Sequence, residues 1–180
     1  MQTGDLREKV TLLTLQKDGD VWTYQDGKTV YAAAKVSERG TILSSMGMGA
    51  RAAEMTFRAA NAPGLMQALR WRGKTYVVST VLPDLRLWTQ ITAAQVELRT
   101  AKVKGGVTFP AIVLERYIRW ASEKPMDTTA ESYMLITPKE IELQAADLLA
   151  IDGLGTYHVT TLHRTDPAKN EYEILRSVEL

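Results

Sequence analysis

The sequence predicts a mainly β protein: a small β-barrel or β-sandwich unit with a long loop, followed by a second, related β-rich unit. Two observations carry this prediction. Short runs of alternating apolar and polar residues are bounded by Gly, Asp and Pro, the mark of strands and turns. The segment Leu69–Leu98 also returns in altered form at Leu149–Leu180. There Asp152-Gly153 stands near where Arg72-Gly73 stood, and Thr156-Tyr157-His158-Val159-Thr160-Thr161 repeats Thr75-Tyr76-Val77-Val78-Ser79-Thr80. Val178-Glu179-Leu180 repeats Val96-Glu97-Leu98. Two small β units in tandem point to an interaction module and not to an enzyme.

Along the chain, Val10, Leu12 and Thr14 alternate with Lys9, Thr11 and Leu13 as a strand would. Lys17-Asp18-Gly19-Asp20 supplies a turn, because Gly accepts positive φ and Asp can bond its own backbone. Val21–Tyr24 is a short aromatic strand, and Asp26-Gly27 is a second turn signal leading into a strand over Thr29–Val36. Ser37–Arg51 lacks strand periodicity and contains three glycines, so it is expected to be a long loop.

Strand character resumes at Glu54–Arg58, breaks at Asn61-Ala62-Pro63-Gly64, and continues through a Leu69–Val81 hairpin to a strand ending near Leu98. The polar stretch Arg99–Gly106 is the best linker, which places one domain over 1–100 and the second over 101–180. Val107–Phe109 and Val113–Trp120 look extended, Ser122–Ser132 is a polar loop, and Tyr133–Ile136 opens the next strand. Pro138–Ile151 has two readings. Thr137, Pro138 and Glu140 resemble a helical capping box, whereas the repeat calls for a turn and a strand.

Composition narrows the function classes. The chain has 180 residues, 45% of them hydrophobic, enough for one sizeable core or two small ones. Its 22 basic and 21 acidic residues leave a net charge of +1, so there is no electrostatic case for wrapping a polyanion. The absence of cysteine excludes a disulfide framework and thiolate metal sites. The charged start, Met1–Arg7, does not suit a signal peptide, and apolar runs such as Phe109–Leu114 are far short of the roughly 20 residues that span a bilayer. A soluble protein made in the cytoplasm is expected.

Several tempting motifs fail. Gly73-Lys74-Thr75 lacks the phosphate-loop glycine five residues earlier, where Ala68 sits, and runs into a β-rich segment instead of a helix. Asp18 and Asp20 begin no calcium loop, since Thr23 and Thr29 occupy the glycine and glutamate positions. His158 and His163, the only histidines, stand an odd number of residues apart and would face opposite sides of a strand. No nucleophile elbow occurs. No catalytic residue, cofactor or metal is therefore assigned. Arg70, Arg72 and Lys74 alternate with Trp71 and Gly73, so the cations are expected on one strand face, solvated, meeting acidic groups of a neighbouring subunit or, as the least favoured reading, acting directly on DNA, with Trp71 buried on the other.

Four segments in order, Gly4–Leu12, Val30-Tyr31-Ala32-Ala33, Met55-Thr56-Phe57-Arg58 and Arg72–Val78, resemble the head-to-tail joining proteins of long-tailed bacteriophages. The resemblance covers residues 4–98. It implies a small β-barrel or β-sandwich that assembles as a ring below the portal as adaptor, head-closure or stopper component. The added second half, a diverged duplication, is a departure, and its contacts are not inherited from the family.

The resemblance implies a structural protein of the virion neck that joins the DNA-filled head to the tail and helps retain the genome, assembled in the host bacterial cytoplasm. Its expected partners are itself in a six- or twelve-fold ring, a portal or adaptor protein on the head side, and a tail-terminator or tail-tube protein on the tail side. DNA would be met only as it passes through the channel, and no membrane is involved. A tail-side ring component such as a tail terminator or tail-completion protein stays open, as does, more remotely, a small hydrolase with an unrecognised site. The expected partner loop contains Gly40, Thr41, Ile42, Leu43, Met46, Gly47, Met48, Gly49 and Arg51, where glycines permit unusual backbone and the apolar side chains offer adaptable contacts.

Overall fold

A computed structural model describes residues 5–45, 47, 49–84, 87–115 and 132–177. The described chain is almost entirely β, and it parts into two compact units: Met1–Gln16 with Thr23–Glu97, and Lys17–Trp22 with Leu98–Leu180. No described helix is long and apolar enough to cross a membrane.

The first unit holds β1 (Glu8–Asp18), β2 (Val21–Ile42), β3 (Gly49–Arg58), β4 (Ala68–Trp71), β5 (Lys74–Asp84) and β6 (Trp88–Gln95). The pairing order β1-β4-β5-β6-β3-β2 is closed by a further β1–β2 pairing, making a six-stranded barrel. Closure removes sheet edges, and alternation sends every second side chain inward. Val10, Phe57, Leu69, Trp71, Tyr76, Val78 and Ile91 fill the interior.

The second unit holds β7 (Leu98–Val103), β8 (Thr108–Glu115), β9 (Ser132–Pro138), β10 (Leu148–Ile151), β11 (Gly155–His163) and β12 (Lys169–Arg176). Its order β7-β10-β11-β12-β9-β8 closes through β7–β8, so each strand takes the place of the one six earlier in the chain. Phe109, Leu135, Leu149, Tyr157, Tyr172 and Ile174 fill this second interior.

The two units agree in finer detail. Leu69 faces Tyr76 in the first and Leu149 faces Tyr157 in the second. Both barrels slip register at one residue of the long hairpin, Ser79 and Thr160, whose hydroxyls donate to Thr92 O and Glu173 O at 3.0 Å in each case. Before β4, Met66 (φ 61) donates to Val78 O at 2.9 Å; before β10, Ala146 (φ 69) donates to Val159 O at 2.9 Å. Gly64 N–H is capped by Gln67 Oε1 and Gln144 N–H by Asp147 Oδ2. A shared barrel order could arise twice independently. A shared bulge, with the same hydroxyl bond, and a shared left-handed residue mark one plan used twice.

The turn at Arg72-Gly73 is the expected hairpin, with φ of 49° and 73°, while the second copy needs three residues, 152–154, between Ile151 and Gly155. The Thr75/Thr156 and Tyr76/Tyr157 matches already include that extra residue, but the Val96/Val178 match lies one residue too far: the counterpart of Val96, whose N–H donates to Thr75 O, is Ser177, whose N–H donates to Thr156 O. Val178, expected in that place, lies outside the described residues.

Other expectations need correction. Asp26-Gly27 is not a turn but the interior of β2. A Cβ on Gly27 would lie 2.8 Å from Leu12 O, so glycine here permits close passage of the two strands. Arg99–Gly106 is not a linker: it is most of β7, paired with β8 and β10, and its turn into β8, and the strand expected to end near Leu98 ends at Gln95. The boundary between units accordingly falls after Glu97, and residues 17–22 go with the second unit, where Val21 pairs with Thr108 and Trp22 packs on the core. Pro138–Ile151 forms no helix. Thr137 and Pro138 end β9, the Thr137 hydroxyl donating to Ile141 O, and β10 follows as the repeat requires. The Ser122–Ser132 loop falls outside the described residues except for Ser132, which opens β9.

Of the aromatic residues on first-unit strands, Phe57, Trp71 and Tyr76 are buried, whereas Tyr31 is 53% exposed. In the second unit Tyr172 is fully buried, its hydroxyl accepting from Leu143 N–H at 3.0 Å and donating to Ile141 O at 3.1 Å. Tyr172→Phe strands the Leu143 donor and is expected to destabilise the protein by about 1–3 kcal/mol in urea unfolding.

Candidate functional site: the β2–β3 hairpin

The strands of the first barrel lead to one element that outruns its ladder. β2 and β3 pair from Ala32↔Phe57 to Val36↔Ala53, break, and pair again at Gly40↔Arg51, Thr41↔Ala50 and Ile42↔Gly49. Three residues of β2, 37–39, thus stand against one of β3. The ladder between β3 and β6 begins only at Ala52↔Ala94, so the outer rungs form a two-stranded ribbon. The expected long loop over Ser37–Arg51 is therefore corrected: most of it belongs to β2 and β3, which pair here over residues 40–42 and 49–51, and only residues 43–48 connect the arms. Cross-strand pairing, which has no signature in local composition, overrides the lack of alternation.

Side chains explain the break and hold the ribbon. Ser37 Oγ donates to Glu54 Oε1 at 3.2 Å and accepts from Arg39 N–H at 3.2 Å, while Lys35 Nζ meets Glu54 Oε2 at 2.9 Å. The Lys35 bond foremost, then Ser37, holds the Glu54 carboxyl below the ordinary glutamate range. Since Ser79 spends its proton on Thr92 O, Thr41 Oγ1 donates to Ser79 Oγ at 2.9 Å, tying the ribbon to the β5 bulge. Gly47, at φ 80°, donates to Ser44 O at 3.0 Å and closes the turn.

Of the expected loop residues, Gly40, Thr41, Ile42, Gly49 and Arg51 come together along the ribbon, around an open concavity of about 440 Å³ that Ser37 and Arg39 also line. Leu43 is buried, so this apolar residue is spent on packing and is not offered to a partner. Met46 and Met48 lie outside the described residues. Ile42 (66% exposed) and Val36 (64% exposed) are the apolar side chains the ribbon presents to solvent. Val36 and the residue 37–39 break were missed in the sequence. The available signal was the cluster of hydroxyl and charged side chains at Lys35, Ser37, Arg39 and Glu54.

The cations Arg70, Arg72 and Lys74 do not share a face. Cross-strand partners share a side of the sheet, so the Trp71↔Lys74 pairing sets Lys74 with Trp71, and its Nζ donates to Gln95 Oε1 at 3.4 Å. Arg70 Nη1 meets both carboxylate oxygens of Asp26, at 2.6 and 2.8 Å. Arg72 grips Glu8 through Nε and Nη2 and lies 4.7 Å from the centre of the Trp71 ring. Both arginines are thus engaged within the chain.

Glu8 also accepts from Trp71 Nε1 at 2.9 Å. Arg72 first and Trp71 second hold its carboxyl below the ordinary glutamate range. A depressed carboxyl stabilises the fold above its unfolded pKa and loses that contribution as pH falls through the folded value. Glu8→Gln is therefore expected to shrink the stability gap to wild type as pH drops below the ordinary glutamate range. Urea midpoints measured across that range would show it, and a gap independent of pH would contradict it.

His158 and His163 lie on the same side of β11 and not on opposite sides. The bulge at Thr160 inserts a residue, so Tyr157, Val159 and Leu162 all pack on the core and both histidines point away. Among the described residues no cluster of three or more His, Cys, Asp or Glu could hold a metal ion. What the ribbon can do chemically is bind: it combines exposed apolar side chains, two exposed arginines and backbone edges beyond the barrel ladder. No family model matches the chain, and no curated protein matches it in sequence.

Proposed function

We propose that this chain is a structural component of a bacteriophage neck, a ring-forming connector that joins the DNA-filled head to the tail and helps to retain the genome. The observation that carries the proposal is a closed small barrel with a ribbon prolonged past its own ladder. The barrel gives a rigid wall, and the ribbon gives an element free to meet a neighbouring chain. The resemblance over residues 4–98 runs through the strands that build this barrel, β1, β2, β3 and the β4–β5 hairpin. The partners in this reading are further copies of the chain, a portal or adaptor protein above, and a tail-terminator or tail-tube protein below. The work is interfacial and needs no cofactor.

The test is the position and copy number of the chain in intact particles, read by cryo-electron microscopy with a tagged chain. A ring between portal and tail supports the proposal. A ring on the tail side of the joint supports the tail-terminator alternative, and absence from the particle overturns both.

A further inference from the structure

The two barrels invite comparison position by position, and one outer face differs in kind. In the second barrel, Lys102 on β7 faces Ala150 on β10, which faces Thr156 on β11. Lys104 follows β7 directly, its N–H donating to Leu148 O at 2.9 Å. These residues and Ser177, whose N–H donates to Thr156 O, line a concavity of about 370 Å³. Lys102 and Lys104 stand on one side and Thr156 and Ser177 on the other, with the exposed Ala150 between them and Val103, Leu148 and Leu149, none of them exposed, completing the lining.

The corresponding row in the first barrel is Thr11, Arg70 and Thr75. There the cation is neutralised by Asp26, and in the next row Leu13, Ala68 and Val77 are buried. In the second barrel Lys102 and Lys104 are exposed and have no ion-pair partner among the described residues. The same scaffold thus presents a closed, neutralised face once and an open cationic groove once.

We infer that this groove of the second barrel binds the phosphodiester backbone of nucleic acid. Lysine ammonium groups and Ser or Thr hydroxyls are the side chains that position phosphates, and small residues let a backbone approach closely. An anionic membrane fits less well. A face that docks on lipid sets large apolar side chains beside its cations, and no exposed large hydrophobic residue is found among the described residues of 98–177. The contact is independent of sequence and weak in one copy, consistent with a chain whose net charge is only +1. This inference does not rest on the neck assignment.

The test uses the full chain and a labelled DNA duplex, with binding followed by fluorescence anisotropy across a salt series. Wild type is expected to bind at low salt and release as salt rises. The K102A/K104A double variant is expected to bind at least roughly tenfold more weakly and to flatten the slope of log K against log salt by about 1.8, for two lost phosphate contacts. Lys9→Ala, the loss of one exposed lysine charge on the first barrel, is expected to leave both unchanged. Circular dichroism confirms that each variant is folded. The inference is overturned if wild type does not bind DNA, if the double variant matches wild type, or if the chain binds vesicles of anionic phospholipid and DNA does not compete.

Discussion

Trp71→Ala is expected to lower the stability of the first barrel by roughly 3–5 kcal/mol. The side chain is 1% exposed, and three neighbours fix it: Tyr76 with ring centres 5.7 Å apart, the Arg72 guanidinium over its face, and the Glu8 carboxylate at its Nε1. Alanine leaves a cavity at the β4–β5 turn and at the same time releases Glu8 and Arg72 from their shared partner. For a unit of this size the loss corresponds to a fall in melting temperature of about 12 °C or more. Trp71→Phe keeps most of the volume but not the bond to Glu8, so a smaller fall is expected. Because the chain has two units, the melt is best followed by two probes, and the first-unit transition carries the effect. An unchanged melting curve would remove Trp71 from the core.

Deleting residues 46–49 is expected to give the largest functional effect. The barrel ladder begins at Ala52, and the ribbon base is tied through Thr41 to Ser79, so the shortened chain should keep the circular dichroism spectrum and melting behaviour of wild type. The outermost rung, Ile42↔Gly49, is lost, and with it the setting of the exposed Ile42 side chain. Particles carrying the deletion are expected to lose DNA or fail to accept tails. Fully infectious particles would sink the neck assignment.

Short-range chemistry in the sequence was a dependable guide where the structure is itself short-range. Arg72-Gly73 reads as a turn because few residues besides glycine tolerate the φ required, and the strands on either side follow from alternation. The Tyr76 and Tyr157 match was legible for the same reason: both copies keep the strand that begins just after a tight turn. Closure of each barrel was not legible, since β1–β4 and β7–β10 join residues more than forty positions apart and local composition does not record them. Asp26-Gly27 misled because glycine serves close approach as well as turns. Arg99–Gly106 misled because a short strand on a barrel wall shows its polar side chains outward and offers little else to recognise. At the candidate site, the residues of the ribbon were visible and its form was not, because pairing across 37–51 depends on a three-residue break that only the side chains of Ser37 and Glu54 explain.

The hairpin tip of residues 17–22 sets an order of events during synthesis. It leaves the ribosome early, yet Thr108, whose N–H donates to Asp20 O, and the core that receives Trp22 come from the far half of the chain. At roughly 5–20 residues per second, the tip waits several seconds with its tryptophan uncovered. For the same reason, cutting the gene after Glu97 does not yield two complete proteins. The downstream fragment lacks a piece of its own packing that is encoded near the start, and the upstream fragment carries that piece with nowhere to put it.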